Sequence, residues 1–554
     1  MSQIHGLSSE LLQEILTFTA FLVDDHLADS DLRDPYHTRD EPFVNMTEGW
    51  NWLNVMAVCQ HWRNVATASP HFHSRVALQS EAAMKRSIAL SGDVPLHIIS
   101  GDVRRWNATR VQWLTDNVLP VLWRLREVDL LCIPNTDDVW AAGSLMASIL
   151  RESPPMLNRL RLHYHPSLTR IYNSDIRGGD EFATKSYPLL SDVELVGFIF
   201  AETSALLGSS LRSLSLSHCQ LFRLRDANAL HALFRGMPLL EVMDLRSTSL
   251  ANLASRQDMA LPPQPVHFEH LRRLSLAAPY LTIHRLLKFV TFPNTTIVEL
   301  HMRQVDETSL RYGPPDGMID FYRRHMGTAT AEGPGYSRIA VNLTILPVDG
   351  HFDYAWTFSH PRGGNETTGT KLPDAMMIKW AFRVPEWDVH QSLISSCVDS
   401  VVKLIPFAHT PHTLRVVQSG TFMEWQPNDD EINEDLTYHK RWYDAFNHGL
   451  DTVTELWLED DASLDSLCWF ANATTGRGFS GRSSYPLLKV LGFRSAEMHM
   501  LSTLRYGKVE MIEGALGRHT GDDCLVRLWG CDVPSAVKEG LERRFGERLE
   551  VVWQ

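Results

Sequence analysis

The chain has 554 residues, 44% of them hydrophobic and 21% charged, which is ample material for a core and far from a disordered composition. Its 66 acidic residues outnumber 52 basic ones for a formal charge of −14, and the basic pairs Arg104-Arg105, Arg323-Arg324 and Arg543-Arg544 are short and scattered, which argues against a nucleic-acid partner. Seven cysteines without a C-x-x-C, no apolar run near the roughly twenty residues needed to span a bilayer, and no basic-then-apolar start argue against secretion and the membrane, and point to the cytoplasm or nucleus.

Taken in chain order, apolar residues first fall at Leu7, Leu11, Leu12, Ile15, Leu16, Phe18 and Leu22. Spacings of three and four predict a helix with one apolar side. Ser8 or Ser9 can cap it, and Glu10 sits in the first turn, where the helix dipole favours an acid. A helix this short is not stable alone in water, so its stripe needs a covering. Residues 24–49 are acidic, polar and aperiodic, and read as an exposed loop. Helical pattern returns at Trp50, continues through Val55, Met56, Val58, Cys59, Trp62 and Val65, and is stopped by Pro70.

The segments Leu7-Ser-Ser-Glu-Leu-Leu-Gln-Glu-Ile-Leu16 and Val55-Met-Ala-Val-Cys-Gln-His-Trp-Arg-Asn-Val-Ala66, in that order, are similar to the F-box motif. That motif opens on leucine-proline-x-glutamate-leucine and closes on valine-cysteine-x-x-tryptophan-arginine, matched here by Val58, Cys59, Trp62 and Arg63. Ser8 stands in place of the usual proline, Phe72-His73 in place of a leucine-tryptophan pair, and the loop is longer than the minimal motif. Residues 82–99, a short helix leading to Pro95-Leu96, resemble the continuation found in fungal members. The resemblance implies a helical module over residues 1–78, with 24–49 as a loop insertion, that docks on a Skp-type adaptor of a cullin ubiquitin ligase. By matching motif positions, Leu7, Leu11, Leu12, Ile15, Leu16, Val58, Cys59 and Trp62 carry that contact or its immediate support. Apolar anchors at helical spacing suit such docking. A helical linker or cap over 79–120 follows.

The remainder repeats one short phrase. Leu211-Arg-Ser-Leu214-Ser-Leu216-Ser-His-Cys219-Gln-Leu221 fits the leucine-rich template L-x-x-L-x-L-x-x-C-x-L at every defined position. Copies starting at Leu240 and Leu271 fit with Thr248 and Pro279 in the cysteine slot. Weaker ones begin at Leu125, Leu157, Leu190 and Ile297, and again at Val453 and Leu488. Alternating leucines make a strand with one buried face, and no single unit buries its leucines alone, so the units are expected to stack. Between strands, residues 226–235 form a helical stretch ended by Gly236 and Pro238. Residues 121–302 are therefore read as leucine-rich repeats and 441–554 as further repeats with a cap. Between them, 303–440 is read as degenerate repeats with long loops at 313–317, 332–335 and 360–370, strand-like alternation at 339–345 and 376–382, and an acidic loop at 428–435.

Chemistry-bearing constellations are weak. In Gly364-Asn-Glu-Thr-Thr-Gly369-Thr370-Lys371 a threonine separates the second glycine from the lysine, so the lysine is misplaced for a phosphate loop. The pairs His71/His73, His163/His165 and His409/His412 lack cysteine or carboxylate ligands at metal-binding spacing. Cys59 and Cys219 sit in apolar patterns and read as core thiols. The expectation is an α+β chain, a small N-terminal helical F-box module followed by an irregular leucine-rich-repeat α/β solenoid. Its expected role is as a non-enzymatic receptor without cofactor or metal, bringing an unidentified protein target to a Skp-type adaptor. The alternative from the same residues is a leucine-rich scaffold unconnected to ubiquitin; an enzyme built on 303–440 is a further rival.

Overall fold

The computed structural model describes residues 7–16, 57–77, 81–99, 108–132, 149, 152–164, 187–201, 206–222, 227–246, 264–293, 296–303, 339–348, 351–359, 377–384, 412–418, 453–460, 488–494, 523–531, 533 and 535–552. The loop read at 24–49, the pattern at 50–56, the turn-rich 313–317, 332–335 and 360–370, and the acidic 428–435 lie outside the described residues. The chain mixes helices with a largely parallel sheet and divides into two compact units, Met1–His270 and Leu271–Gln554.

In the first unit, helix α1 covers residues 9–16, followed by α2 (Gln60–Ala68) and α3 (Pro70–His73). Pro70 both stops and starts a helix. It cannot continue α2, yet its fixed φ suits the first turn of α3, where Ser69 caps by accepting the Phe72 N–H at 3.4 Å. The chain then enters strand β1 (Arg75–Ala77), helix α4 (Glu81–Leu90), β2 (Leu96–Ile99) and α5 (Ala108–Val118), and a 3-10 turn over Leu119–Arg124. After these come β3 (Leu125–Cys132), β4 (Arg159–Tyr164), β5 (Asp192–Val196), β6 (Ile199–Ala201), β7 (Ser213–Ser217), β8 (Gln220–Phe222), α6 (Ala227–Arg235), β9 (Val242–Arg246) and β10 (Val266–His267).

Strands β1, β2, β3, β4, β5, β7 and β9 pair side by side in that order, every pair parallel. β6 and β8 form a small parallel pair of their own. The register brings Val76, Ile98, Val128, Leu160, Val193, Leu214 and Met243 into one row, none more than 2% exposed. A second row holds Leu130, Leu162, Leu195, Leu216 and Leu245, all buried. Leu125, Leu157, Leu190, Leu211 and Leu240, at or just before the strand entries, are buried as well. The two alternating leucines of each phrase thus become continuous apolar rows, because successive strand residues point to opposite faces.

Arg124 ties the start of this sheet to the segment before it. Its guanidinium is nearly buried and donates to the Val94 carbonyl at 2.6 and 3.0 Å and to Ser91 Oγ at 2.8 Å. Burial lowers its pKa and Asp93 acts against that fall.

The turn after the strand recurs. Gly197, His218 and Gly530 all have positive φ (80°, 53° and 59°). Each donates its N–H to the carbonyl of the last residue of a neighbouring strand: Ser217, Arg246 and Val552 respectively, at 2.8–2.9 Å. The residue after each, Phe198, Cys219 or Cys531, turns inward and is buried. The Cys219 thiol donates to the Leu195 carbonyl at 3.2 Å and the Cys531 thiol to the Phe493 carbonyl at 3.4 Å. Leu195 is the register partner of Leu216, and Phe493 that of Leu528, so both thiols occupy the same place three residues after an equivalent buried leucine. Burial pushes the Cys219 thiol up to about 12 and Cys524 up to about 11. At pH 8 almost no thiolate forms, so alkylation followed residue by residue with mass spectrometry is expected to leave Cys219 and Cys524 unmodified until denaturant is added. Modification of Cys219 in the native protein as fast as half-buried Cys59 would contradict this packing.

The second unit holds β11 (Arg273–Pro279), α7 (Tyr280–Phe289), β12 (Val290–Thr291), β13 (Ile297–Arg303), β14 (Ile339–Val348), β15 (His351–Ser359), β16 (Met377–Val384), β17 (His412–Gln418), β18 (Val453–Asp460), β19 (Val490–Arg494), β20 (Leu525–Trp529), α8 (Ser535–Phe545) and β21 (Leu549–Val552). Its strands follow the order β11, β13, β16, β15, β14, β17, β18, β19, β20, β21. All neighbours are parallel except β15, which runs antiparallel to both β14 and β16. The segments read as strand-like at 339–345 and 376–382 fall on β14 and on β16, which is described from Met377. The intervening antiparallel strand departs from the expected one strand per repeated phrase. Strands β20 and β21 were not among the phrases found in the sequence.

Candidate functional site

Two surfaces concentrate the chemistry of the described residues. The first is the helical start. The Leu11 N–H donates to Ser8 Oγ at 3.2 Å and the Leu12 N–H to the Ser8 carbonyl at 2.9 Å, so Ser8 caps α1 in place of the proline of the motif. A backbone hydrogen bond in that first turn and the Ser8 hydroxyl hold the Glu10 carboxyl below its ordinary value. The helix then sorts its apolar residues by face. Leu12 and Leu16 are buried, at 0% and 1% exposure, whereas Leu11 and Ile15, also four apart, are 46% and 39% exposed. Leu7 is half-buried just ahead of the helix.

At the second segment, Val58 is 59% exposed, Cys59 is half-buried as the extended residue before α2, and Trp62 is half-buried with its Nε1 enclosed and lacking a hydrogen-bond partner. Phe72 and His73, standing where the motif has leucine-tryptophan, are both buried and meet edge-on at 5.5 Å. Burial lowers the His73 pKa, helped by Arg86. Of the eight residues singled out by sequence, Leu11, Ile15 and Val58 offer apolar surface, while Leu12 and Leu16 serve the interior.

The second surface is the sheet face opposite the leucine rows, where the residues between the alternating apolar positions form cross-strand lines. One line in the first unit runs Asp129, Arg161, Glu194, Ser215, Asp244; the line beside it runs His97, Glu127, Arg159, Asp192, Ser213. Signs alternate from strand to strand over much of this face. Arg159 Nε donates to Asp192 Oδ2 at 2.8 Å, and His97 Nδ1 lies 3.1 Å from Glu127. Arg161 reaches Glu194 at 3.3 Å, Asp192 at 3.9 Å and Asp129 at 4.0 Å, and His163 Nε2 lies 2.9 Å from Glu194. The contacts of Arg161 Nε and His163 Nε2 with Glu194 are close without being aligned as hydrogen bonds. Burial acts to raise the Glu127 pKa, but His97, Arg159 and Arg126 outweigh it and hold the carboxyl below its ordinary value.

In the second unit the equivalent face carries Trp457, Gly492, Arg527 and Glu550 in one register line and Arg494 and Trp529 in the next. The Arg527 guanidinium lies 5.8 Å from the Trp457 ring and donates to Glu550 at 2.8 Å; Arg494 lies 5.6 Å from the Trp529 ring. Gly492 sits mid-strand because the Trp457 ring occupies the space of its missing side chain. Gly492→Ala is expected to cost about 1–3 kcal/mol by overpacking. Chemical denaturation checks this, and a Trp457→Ala background should absorb most of the cost.

Among the described residues no group of three or more histidines, cysteines, aspartates or glutamates is placed to hold a metal ion, and no helix is long and apolar enough to cross a membrane. A shallow hollow of about 340 Å³ beside His71, Ser74, Pro95, His97 and Glu127 lies where β2 meets β3. Comparison of the chain with protein-family models, curated proteins and solved structures finds no match. The charged face escaped the sequence reading, although its signal is present. Aligning the phrases puts Asp129, Arg161, Glu194, Ser215 and Asp244 in the single slot between the two alternating apolar residues.

Proposed function

We propose that this protein is a non-catalytic F-box receptor, in which the N-terminal helices dock a Skp-type adaptor and a leucine-rich solenoid presents a protein target to the ubiquitin-transfer machinery. The observation that carries the reading is the division of α1 into a buried Leu12/Leu16 face and an exposed Leu11/Ile15 face, with Val58 exposed as well. These uncovered apolar side chains lie at motif positions and suit burial against a partner helix or groove.

The solenoid reading is supported by the parallel strands that follow the repeated phrases in chain order, and by the recurrence of one turn at Gly197, His218 and Gly530. Such a protein accelerates modification by proximity, holding acceptor lysines near an activated thioester, and needs no reactive residue of its own. The test is co-purification of the full chain with a purified Skp-type adaptor. A well-folded chain that never captures adaptor would sink the receptor reading and leave the scaffold alternative.

A further inference from the structure

The turns that lead into the strands of the first unit share one construction. Each of Leu157, Leu190, Leu211 and Leu240 donates its N–H to the carbonyl three residues back, of Pro154, Tyr187, Gly208 and Met237 respectively, at 3.2–3.3 Å. Leu125 closes the same turn on the Leu122 carbonyl. Pro155, Pro188 and Pro238 stand at the second position of three of these turns, where a fixed φ suits the bend. The corner residues after them, Met156, Leu189 and Leu239, are 36%, 53% and 40% exposed, and Trp123 at the corner before β3 is 53% exposed. Turn corners favour glycine, asparagine, aspartate and serine, so nothing local calls for these apolar side chains.

The corners stand in line. The residue after each entry leucine bonds to its counterpart in the preceding phrase: the Asn158 N–H to the Arg126 carbonyl, Ser191 to Asn158, Arg212 to Ser191 and Glu241 to Arg212, at 2.7–2.8 Å. Trp123, Met156, Leu189 and Leu239 therefore follow one another along the rim of the sheet, and half-buried Ser210 leaves a notch between the last two. With neighbouring strands about 4.8 Å apart, this rim runs roughly 19 Å from β3 to β9. It lies at the strand entries rather than on the charged sheet face.

We infer that this rim docks one amphipathic helix of a protein partner, laid across the strand entries with an apolar side chain at each turn. Spacing selects a helix. Its turns repeat every 5.4 Å or so, and over four intervals they drift only about 2.4 Å from the corners. Side chains on one face of an extended chain repeat about every 6.6 Å and would drift about 7 Å. Area selects a single helix. Four partly exposed side chains offer on the order of a few hundred Å², below the roughly 800 Å² that each partner gives to a stable interface, so a second folded copy of this chain is too large an occupant for so little contact. The prolines hold the corners in place before binding, which lowers the entropic cost of docking. The Ser210 notch sets the register by taking the bulkiest side chain of the helix. The inference goes beyond the receptor reading and stands equally if the chain is a scaffold.

Fluorescence anisotropy of the full chain with a labelled peptide of about sixteen residues, enough for four helical turns, tests this. The peptide carries one leucine per turn with glutamate and lysine elsewhere, and is expected to bind at about 10–100 μM. Leu189→Gln with Leu239→Gln is expected to weaken binding about tenfold or more. Leu11→Gln with Ile15→Gln, an equally exposed apolar pair on α1, should leave affinity for this peptide within about twofold. A central proline in the peptide, which breaks its helix, should abolish binding. Four outcomes overturn the proposal: no binding up to about 1 mM, equal binding of the proline peptide, equal binding of a peptide with the same residues in scrambled order, or equal weakening by the two leucine pairs.

Discussion

Replacing Leu11 and Ile15 together by aspartate is expected to abolish adaptor capture, a loss of about a thousandfold if each acts as an anchor worth some 2 kcal/mol. Both side chains are exposed on one face of α1, so placing charges there leaves the folded chain intact while ruining an apolar contact. Leu12→Asp gives the informative contrast. It buries an unpaired carboxylate in a site with no exposure, so the expected result is local unfolding, seen as lost helical signal and early proteolysis near the amino end. Isothermal titration with purified adaptor, alongside circular dichroism, separates the two. If the Leu11/Ile15 double variant binds adaptor as tightly as the parent chain, the exposed face of α1 is not the docking surface.

The second large effect concerns adjacent residues of β7. Leu214→Ala empties space in a row whose members are at most 2% exposed, and is expected to cost about 2–5 kcal/mol, read by urea unfolding as a lower midpoint with an unchanged slope. Ser215→Ala, one residue on and facing the other way, should stay within about 0.5 kcal/mol. The pair examines the register itself, since a slip of one residue exchanges the two faces. A costly serine and a cheap leucine would mean that the strand is inverted.

Much of this architecture was legible because strand geometry writes a period of two into the chain. Every leucine phrase found in the sequence, from Leu125 to Leu488, falls on a strand, and the pairs Val193/Leu195, Leu214/Leu216 and Met243/Leu245 are buried as their alternation predicts. What escaped had a different vocabulary. Strand β15 alternates Phe352, Tyr354, Trp356 and Phe358, a pattern as regular as any leucine phrase but invisible to a leucine template. Strand β20 carries Val526 and Leu528 but has Asp523 where the phrase begins with leucine.

The candidate surfaces were unevenly readable. A helical stripe gives a local signal, so Leu11, Leu12, Ile15 and Leu16 could be chosen together. Which of them faces outward depends on what covers the helix, and a periodicity of three and four does not carry that. The charged face belongs to residues far apart in sequence. Arg159 meets Asp192 and Arg161 meets Glu194 only once β4 and β5 lie in register.

The reversed strand in the second unit has a bearing on how the chain is made. β13 ends at Arg303, yet the strand that takes its free side, β16, does not begin until Met377, after the β14–β15 hairpin has been synthesised. A hairpin closes quickly because its two arms are near in sequence, whereas the seam between β13 and β16 must wait for distant chain to arrive. During translation, therefore, an unpaired ribbon of amides and carbonyls stays open on β13 next to a finished hairpin. Such an edge is a template for wrong pairing until β16 arrives.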